Sequence, residues 1–346
     1  MSTTLSADFR DANPNATVWD IVRGLSRFGA VHAMVDLRCA DHLKKDGPLT
    51  TEELAARCKA DPVQLGRVLR MAAALGLLTQ VSPGRYGLTA SGETLCEDSP
   101  NSMRPAVLAH AEEGSWIAMN AIPQTVRTGR TRFMEEYGSH YDYLAAHPEA
   151  NEVFNEFMRL RSEPVGAAVA TRYDFTEINS LVDVGGGKGT LLAAILQANP
   201  HVRGTLLERD QVIPDARANL TARGLADRCE FVVGDFFRSA PKGADAYLLG
   251  SVIHNWDDDA AARILETVRA AVPDHGRVLL VDATLPDDDR PHIGKELDVR
   301  IMALFGGGRE RSESEYFGLL TGAGLNGRIV AALPIGLSLI EALPIT

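Results

Sequence analysis

The stretch Leu181-Val182-Asp183-Val184-Gly185-Gly186-Gly187-Lys188-Gly189-Thr190 reads as a short apolar strand running into a glycine-rich turn. The chain after it repeats the strand signal. Ser180–Val184, Gly204–Glu208, Glu230–Gly234, Ala246–Val252 and Arg277–Asp282 are short apolar runs of strand length. Helical patterns such as Leu191–Ala198 and Ala261–Val272 fall between them. That alternation predicts an α/β domain over 176–346, built on a doubly wound parallel sheet. Arg328–Ala332 and Leu337–Ala342, with Pro334-Ile335-Gly336 between them, are expected to close it with a late hairpin.

In such a sheet, ligands approach beyond the carboxyl ends of the strands, where the glycine loop lies. Glycine suits that place because a Cβ blocks close approach and positive φ. The spacing excludes two familiar loops. A dinucleotide fingerprint needs Gly-x-Gly-x-x-Gly, but Gly185-x-Gly187 is followed by Thr190. A phosphate loop needs Gly-Lys-Ser/Thr, and Gly187-Lys188 is followed by Gly189. Asp183, two positions before the glycines, repels a pyrophosphate but suits a ligand carrying an ammonium and a sulfonium. S-adenosylmethionine has both. Glu208, at the end of the next strand, has the offset of an acid that grips ribose hydroxyls. Asp235-Phe236-Phe237 offers a carboxylate to an adenine amino group beside an apolar wall. Singly these are a packing turn, a solvated Glu and a capping Asp; three at successive strand ends point to one ligand.

Working outward, the chain up to residue 100 changes style. Thr50-Thr51-Glu52-Glu53 and Asp61-Pro62 are helix starts. Leu65, Val68, Leu69, Ala72 and Leu75 keep helical spacing up to Gly76. Leu77–Val81 and Arg85–Thr89, around Ser82-Pro83-Gly84, form a strand pair. Helices with a two-stranded wing suggest a winged-helix module. Residues 1–100 carry 11 Lys or Arg against 12 Asp or Glu, the wrong balance for reading DNA. Packing against a partner subunit fits better, and Val18, Ile21, Leu25, Phe28, Ala30, Val31 and Met34 add an apolar helix for it. Residues 101–175 read as a mainly helical linker, with amphipathic stretches around Met103–Val126 and Pro148–Tyr173.

Bulk properties narrow the class. The 346 residues are 45 % hydrophobic and 23 % charged with a net charge of −11, which disfavours nucleic acid as a partner. No run has the length of a membrane span, and Met1–Asp11 lacks the apolar core of a secretory signal. Cys39, Cys58, Cys96 and Cys229 are scattered, which fits reduced thiols in a cytosol and argues against a zinc site.

Four blocks carry a resemblance: Leu181 to Gly189; Gly234-Asp235-Phe236-Phe237; His254-Asn255-Trp256-Asp257; and Gly308-Arg309-Glu310-Arg311-Ser312-Glu313. In this order and spacing the chain resembles the S-adenosylmethionine-dependent O-methyltransferases of the plant caffeate and bacterial polyketide or phenazine type. The resemblance covers nearly the whole chain. It implies an N-terminal winged-helix dimerisation domain, hence a homodimer, and a Rossmann-like catalytic domain. It also implies donor contacts at Gly185, Glu208, Asp235, Phe236 and Trp256; Asp183, Gly187 and Gly234 complete the expected set. Many members place Lys or Arg just before the motif histidine. This chain has Gly250 and Ser251 there, and Ser251 is the expected replacement.

The chemistry follows from the acceptor. A phenol with a pKa of about 10 is ionised in about one molecule in a thousand near pH 7, so transfer needs a base. Of the nine histidines, only His254 follows the fourth strand at the ligand-bearing end of the sheet. Its alternative role is packing beside Asp257-Asp258-Asp259, which starts a helix. The resemblance puts two acids beside this base, Asp282 and Glu310, with Asp282 in place of the Glu of the plant enzymes; Glu310 is expected to lead. Trp116, Phe154, Met158, Asn255, Met302 and Phe305 are candidate acceptor walls, although each alone reads equally as core or turn. No metal is expected. Rival readings are a relative using the donor for hydroxylation or decarboxylation, and a ligand-sensing winged-helix regulator.

Overall fold

The computed structural model describes residues 14–345 and divides into two compact units. One comprises the chain up to Trp116 together with Pro148–Leu160; the other comprises Ile117–His147 and Arg161 onward. The N-terminal eleven residues read above for a signal lie outside the described residues.

The first unit begins with the helices Pro14–Asp36, Cys39–Asp46, Thr51–Cys58 and Pro62–Ala74. Their starts follow the sequence chemistry. Thr50 and Glu53 form a reciprocal capping box, and Asp61 accepts the Gln64 N–H at 2.9 Å ahead of Pro62 in the first turn. Strands β1 (Leu49–Thr50), β2 (Leu78–Ser82) and β3 (Arg85–Leu88) make an antiparallel wing in the order β1-β3-β2. Met34, Cys39, Leu54, Leu69 and Ala72 are buried beneath it. On Pro14–Asp36, Val18, Trp19, Ile21, Val22 and Leu25 remain more than half exposed.

The amphipathic stretch expected around Met103–Val126 is three short helices, Arg104–Ala111, Glu113–Asn120 and Ile122–Thr128. Extended backbone at Glu112 ends the first, and Pro123, which lacks the N–H a continuous helix needs, opens the third. The stretch expected around Pro148–Tyr173 is one helix, Pro148–Arg172.

The second unit is an eight-stranded sheet. Its strands are β4 (Ser180–Val184), β5 (Arg203–Glu208), β6 (Cys229–Val233), β7 (Ala246–Gly250), β8 (Arg277–Leu285), β9 (Arg311–Ser312), β10 (Leu325–Ala332) and β11 (Leu337–Pro344). The order is β10-β11-β8-β7-β4-β5-β6, with β9 beside β8. The five strands β8, β7, β4, β5 and β6 are parallel, and β10–β11 is the closing antiparallel hairpin. Strand alternation builds two cores. Leu181, Leu206, Leu248 and Leu279 pack with Leu192, Ile195 and Leu196 of helix Thr190–Ala198. Val182, Leu207, Leu249 and Leu280 pack with Ala261, Ile264, Leu265 and Val268 of helix Asp258–Arg269. A sheet covered on both faces explains why its strands read as continuous apolar runs. The chain leaves β4 toward β5 and later returns to its other side as β7, so the switch point lies between β4 and β7.

One strand is longer than its sequence suggests. β8 continues past Asp282 to Leu285, because Thr284 and Leu285 pair with β9. Asp282 is therefore held inside a strand rather than at its end.

Candidate active site

The loop after β4 is shaped for close approach. Gly185 has φ +69°, and a Cβ there would stand 3.2 Å from Phe236 and 3.3 Å from Val252. Asp183 is buried, and its Oδ2 has no hydrogen-bond partner among the described residues. Burial, and then the Glu208 charge, push its pKa up to about 7. A buried carboxyl oxygen left unsatisfied beside a glycine cradle fits a ligand that brings a cation and N–H donors. Around the loop, Glu208 follows at the end of β5, with one oxygen accepting the Arg209 N–H at 2.9 Å. Asp235, after β6, is half-exposed and accepts the Phe237 N–H at 2.9 Å. Gly234 packs against Leu207, while Gly187 (φ +54°) faces open space. Ser251 follows β7 with φ +55°, a conformation costly for a non-glycine residue and concentrated at functional sites. The Trp256 ring meets Phe237 edge-on at 4.8 Å and Phe236 at 6.2 Å, so the three aromatics form one wall.

His254 sits in the short turn Ile253–Asn255 directly after β7. It is buried, and its Nδ1 lies 2.8 Å from Glu310 Oε1. A carboxylate only accepts, so Nδ1 carries the proton and Nε2 is the basic atom. Asp282 Oδ1 stands at 3.7 Å from the same Nδ1, beyond hydrogen-bond range, and neither of its oxygens has a hydrogen-bond partner among the described residues. Burial opposes a charged imidazole, but Asp282 and Glu310 together outweigh it and raise the His254 pKa above its ordinary value, against the Arg161 charge. Burial likewise raises the Asp282 carboxyl. Close packing fixes the dyad. Arg309 donates its N–H to the His254 carbonyl at 2.8 Å, and a Cβ on Gly308 would lie 2.9 Å from that oxygen. Asp298 accepts the Glu310 N–H at 2.8 Å.

Beside the turn is a cavity of about 230 Å³ lined by Met134, Ser139, His140, Tyr141, Asn255, Trp256, Asp257, Leu304, Phe305 and Gly307. Of the expected acceptor walls, Asn255 and Phe305 line it. Met302 is half-buried on the same helix as Phe305, Ile293–Phe305, outside this lining. Trp116, Phe154 and Met158 belong to the first unit. Asn255 also serves its own turn, donating from Nδ2 to the Ser251 carbonyl at 3.1 Å. Sequence reasoning missed Met134 and Ser139–Tyr141. No sequence signal marks Tyr141; in the fold Arg209, next to Glu208, lies 4.9 Å over its ring. Among the described residues no cluster of three or more His, Cys, Asp or Glu side chains could hold a metal, and no helix is long and apolar enough to cross a membrane.

Residues 119–326 match the O-methyltransferase domain family, and residues 19–98 the O-methyltransferase dimerisation domain family. The phenazine O-methyltransferase of Lysobacter antibioticus is 39 % identical over 317 residues, which cover 91 % of this chain and 92 % of that protein. The solved mitomycin 7-O-methyltransferase superposes with a TM-score of 0.87 at 36 % identity, covering 97 % of this chain and 99 % of that one. An O-methyltransferase from neocarzinostatin biosynthesis, solved with S-adenosylmethionine and 2-hydroxy-5-methyl naphthoic acid, gives a TM-score of 0.78 at 33 % identity. It covers 92 % of this chain and 95 % of that one.

Proposed function

The chain belongs to the O-methyltransferase family, and from that membership we propose that it methylates a phenolic hydroxyl of an aromatic secondary metabolite, with His254 as general base. S-adenosylmethionine, when bound, supplies an electrophilic methyl group on a sulfonium. Asp183, Gly185, Gly187, Glu208, Gly234, Asp235, Phe236, Ser251 and Trp256 are the residues we assign to hold it. The buried carboxyl of Asp183 suits its cationic end, Glu208 its ribose, and the Phe236–Trp256 wall its adenine.

The His254–Glu310 contact carries the assignment of the base. Glu310 holds the Nδ1 proton, so Nε2 is free to accept the acceptor's phenolic proton. Asp282, too far to bond, stabilises the imidazolium by charge alone. Aligning the acceptor oxygen can contribute about 7–11 kcal/mol, against about 4 kcal/mol for removing its proton. Asn255 and Phe305 are the acceptor contacts we assign in the cavity beside the turn. Scattered in the sequence, Cys39 and Cys58 meet in the fold with their Sγ atoms 3.7 Å apart and no bond between them; with Cys96 and Cys229 also free, thiols kept reduced support a cytosolic enzyme.

His254→Ala separates binding from chemistry. It is expected to bind the donor normally in calorimetry and to lose about 10²–10⁴ in kcat. A wild-type rate with intact donor binding would remove the base assignment.

A further inference from the structure

We propose that Arg311 is a positioning residue that sets the base and the aromatic donor wall with one guanidinium. Its side chain is fully buried, 0 % exposed. Nε donates to Asp258 Oδ1 at 2.9 Å, and Nη2 lies 2.7 Å from the same oxygen. Nη2 also donates to the Trp256 carbonyl at 2.8 Å. Nη1 donates to the carbonyls of Ile253 at 3.2 Å and Arg309 at 3.4 Å. These contacts use the whole fork of a guanidinium, which a lysine cannot reproduce.

The acceptors matter more than their number. Ile253 and Trp256 are the residues on either side of His254-Asn255, so the fork brackets the turn that carries the base. The neighbouring residues complete the grip: Arg309 N–H on the His254 carbonyl and Glu310 on its imidazole. Beyond Trp256 the same turn carries the indole that stands against Phe236 and Phe237. A shift of the turn therefore moves the base away from Glu310 and the indole away from the donor loop together. Stability alone does not account for such a residue. A buried ion pair is a weak source of stability, and here Asp258, the one carboxylate paired with it among the described residues, is itself half-exposed.

The proposal rests on His254 as base for its rate effect, but not for its structural effect. The groups facing the His254 ring are Asp282 from β8, Glu310 from the loop before β9, and Arg161 from helix Pro148–Arg172. Loosening the Glu310 contact weakens one of the two carboxylates that offset burial, so the ring should titrate lower.

Arg311→Lys keeps the charge and removes the fork. It is expected to lower kcat by 10- to 100-fold, to raise the donor Kd at least threefold, and to move the His254 ring titration, followed by NMR of labelled histidine, to lower pH. Loss of thermal stability alone, with kcat, Kd and titration at wild-type values, would overturn the proposal. Should Arg311→Lys fail to fold, Asp258→Ala releases one side of the guanidinium, with the same three shifts expected in smaller amplitude; three unchanged values overturn the proposal equally. His254→Ala, assayed alongside, keeps the two claims apart. If it retains the wild-type rate while Arg311→Lys still shifts Kd and titration, the base assignment fails and the positioning role stands.

Discussion

Two buried acids at the mouth of the sheet do different work because their neighbours differ. Each has one carboxyl oxygen with no partner among the described residues, but the other oxygen of Glu310 accepts from His254, whereas burial and then Glu208 raise the Asp183 pKa to about 7. A cation arriving at Asp183 favours its ionised form. Donor binding near pH 6.5 is therefore expected to release a proton, seen as a binding enthalpy that changes with buffer ionisation heat, and donor affinity should fall as pH drops below about 7. A buffer-independent enthalpy across that range counts against Asp183. The raised His254 pKa makes a second prediction. The base must be neutral, so kcat/KM should rise with pH through a midpoint above the ordinary imidazole value of about 6.5. Glu310→Gln, which removes one of the two raising charges, should shift that midpoint down and lower kcat; an unmoved midpoint contradicts the dyad. His254 was singled out by its place after the fourth strand, Asp183 by its place before the glycines, and Glu310 by the family resemblance and the glycine run before it. Arg311 was not. Set among Arg309, Glu310 and Glu313 it reads as part of a solvated charge run, and only the fold shows that it is buried.

At the scale of elements, the loop from Gly185 to Gly189 joins β4 to helix Thr190–Ala198 by a turn with positive φ at Gly185, Gly187 and Gly189. Gly185→Val meets both obstacles, a φ of +69° and the ring of Phe236. It is expected to abolish donor binding in calorimetry while the far-ultraviolet spectrum stays folded; a normal titration would show that the loop does not hold the donor. The strands were readable because a doubly covered sheet leaves apolar runs bounded by turn residues. Their ends were less so: β8 outruns Asp282 only because of β9, a two-residue partner more than twenty residues away in sequence. The segment 130–147 read as generic helix. Its Ser139–Tyr141 stretch acquires meaning only where tertiary packing sets it beside Asn255 and Phe305.

The whole molecule joins a winged-helix unit to a catalytic sheet, and each end of the chain carries its own signal. The row of Val18, Trp19, Ile21, Val22 and Leu25 is too apolar to be left to water, and residues 19–98 match a dimerisation family. Sedimentation is expected to give a dimer, and Ile21→Asp with Leu25→Asp to give a monomer; a wild-type monomer would contradict this. The division into 1–100, 101–175 and 176–346 is our functional reading of the chain. It is distinct from the two compact units, in which 117–147 goes with the sheet. The central claim, phenol methylation by His254, is tested most directly by mass spectrometry of a panel of phenolic aromatics incubated with S-adenosylmethionine and either wild type or His254→Ala. The wild type should add one methyl group to a phenolic oxygen, and the variant, with donor still bound, should yield at least about a hundredfold less. Equal product from both proteins, or no methylated phenol from a wild type that binds the donor, would contradict it.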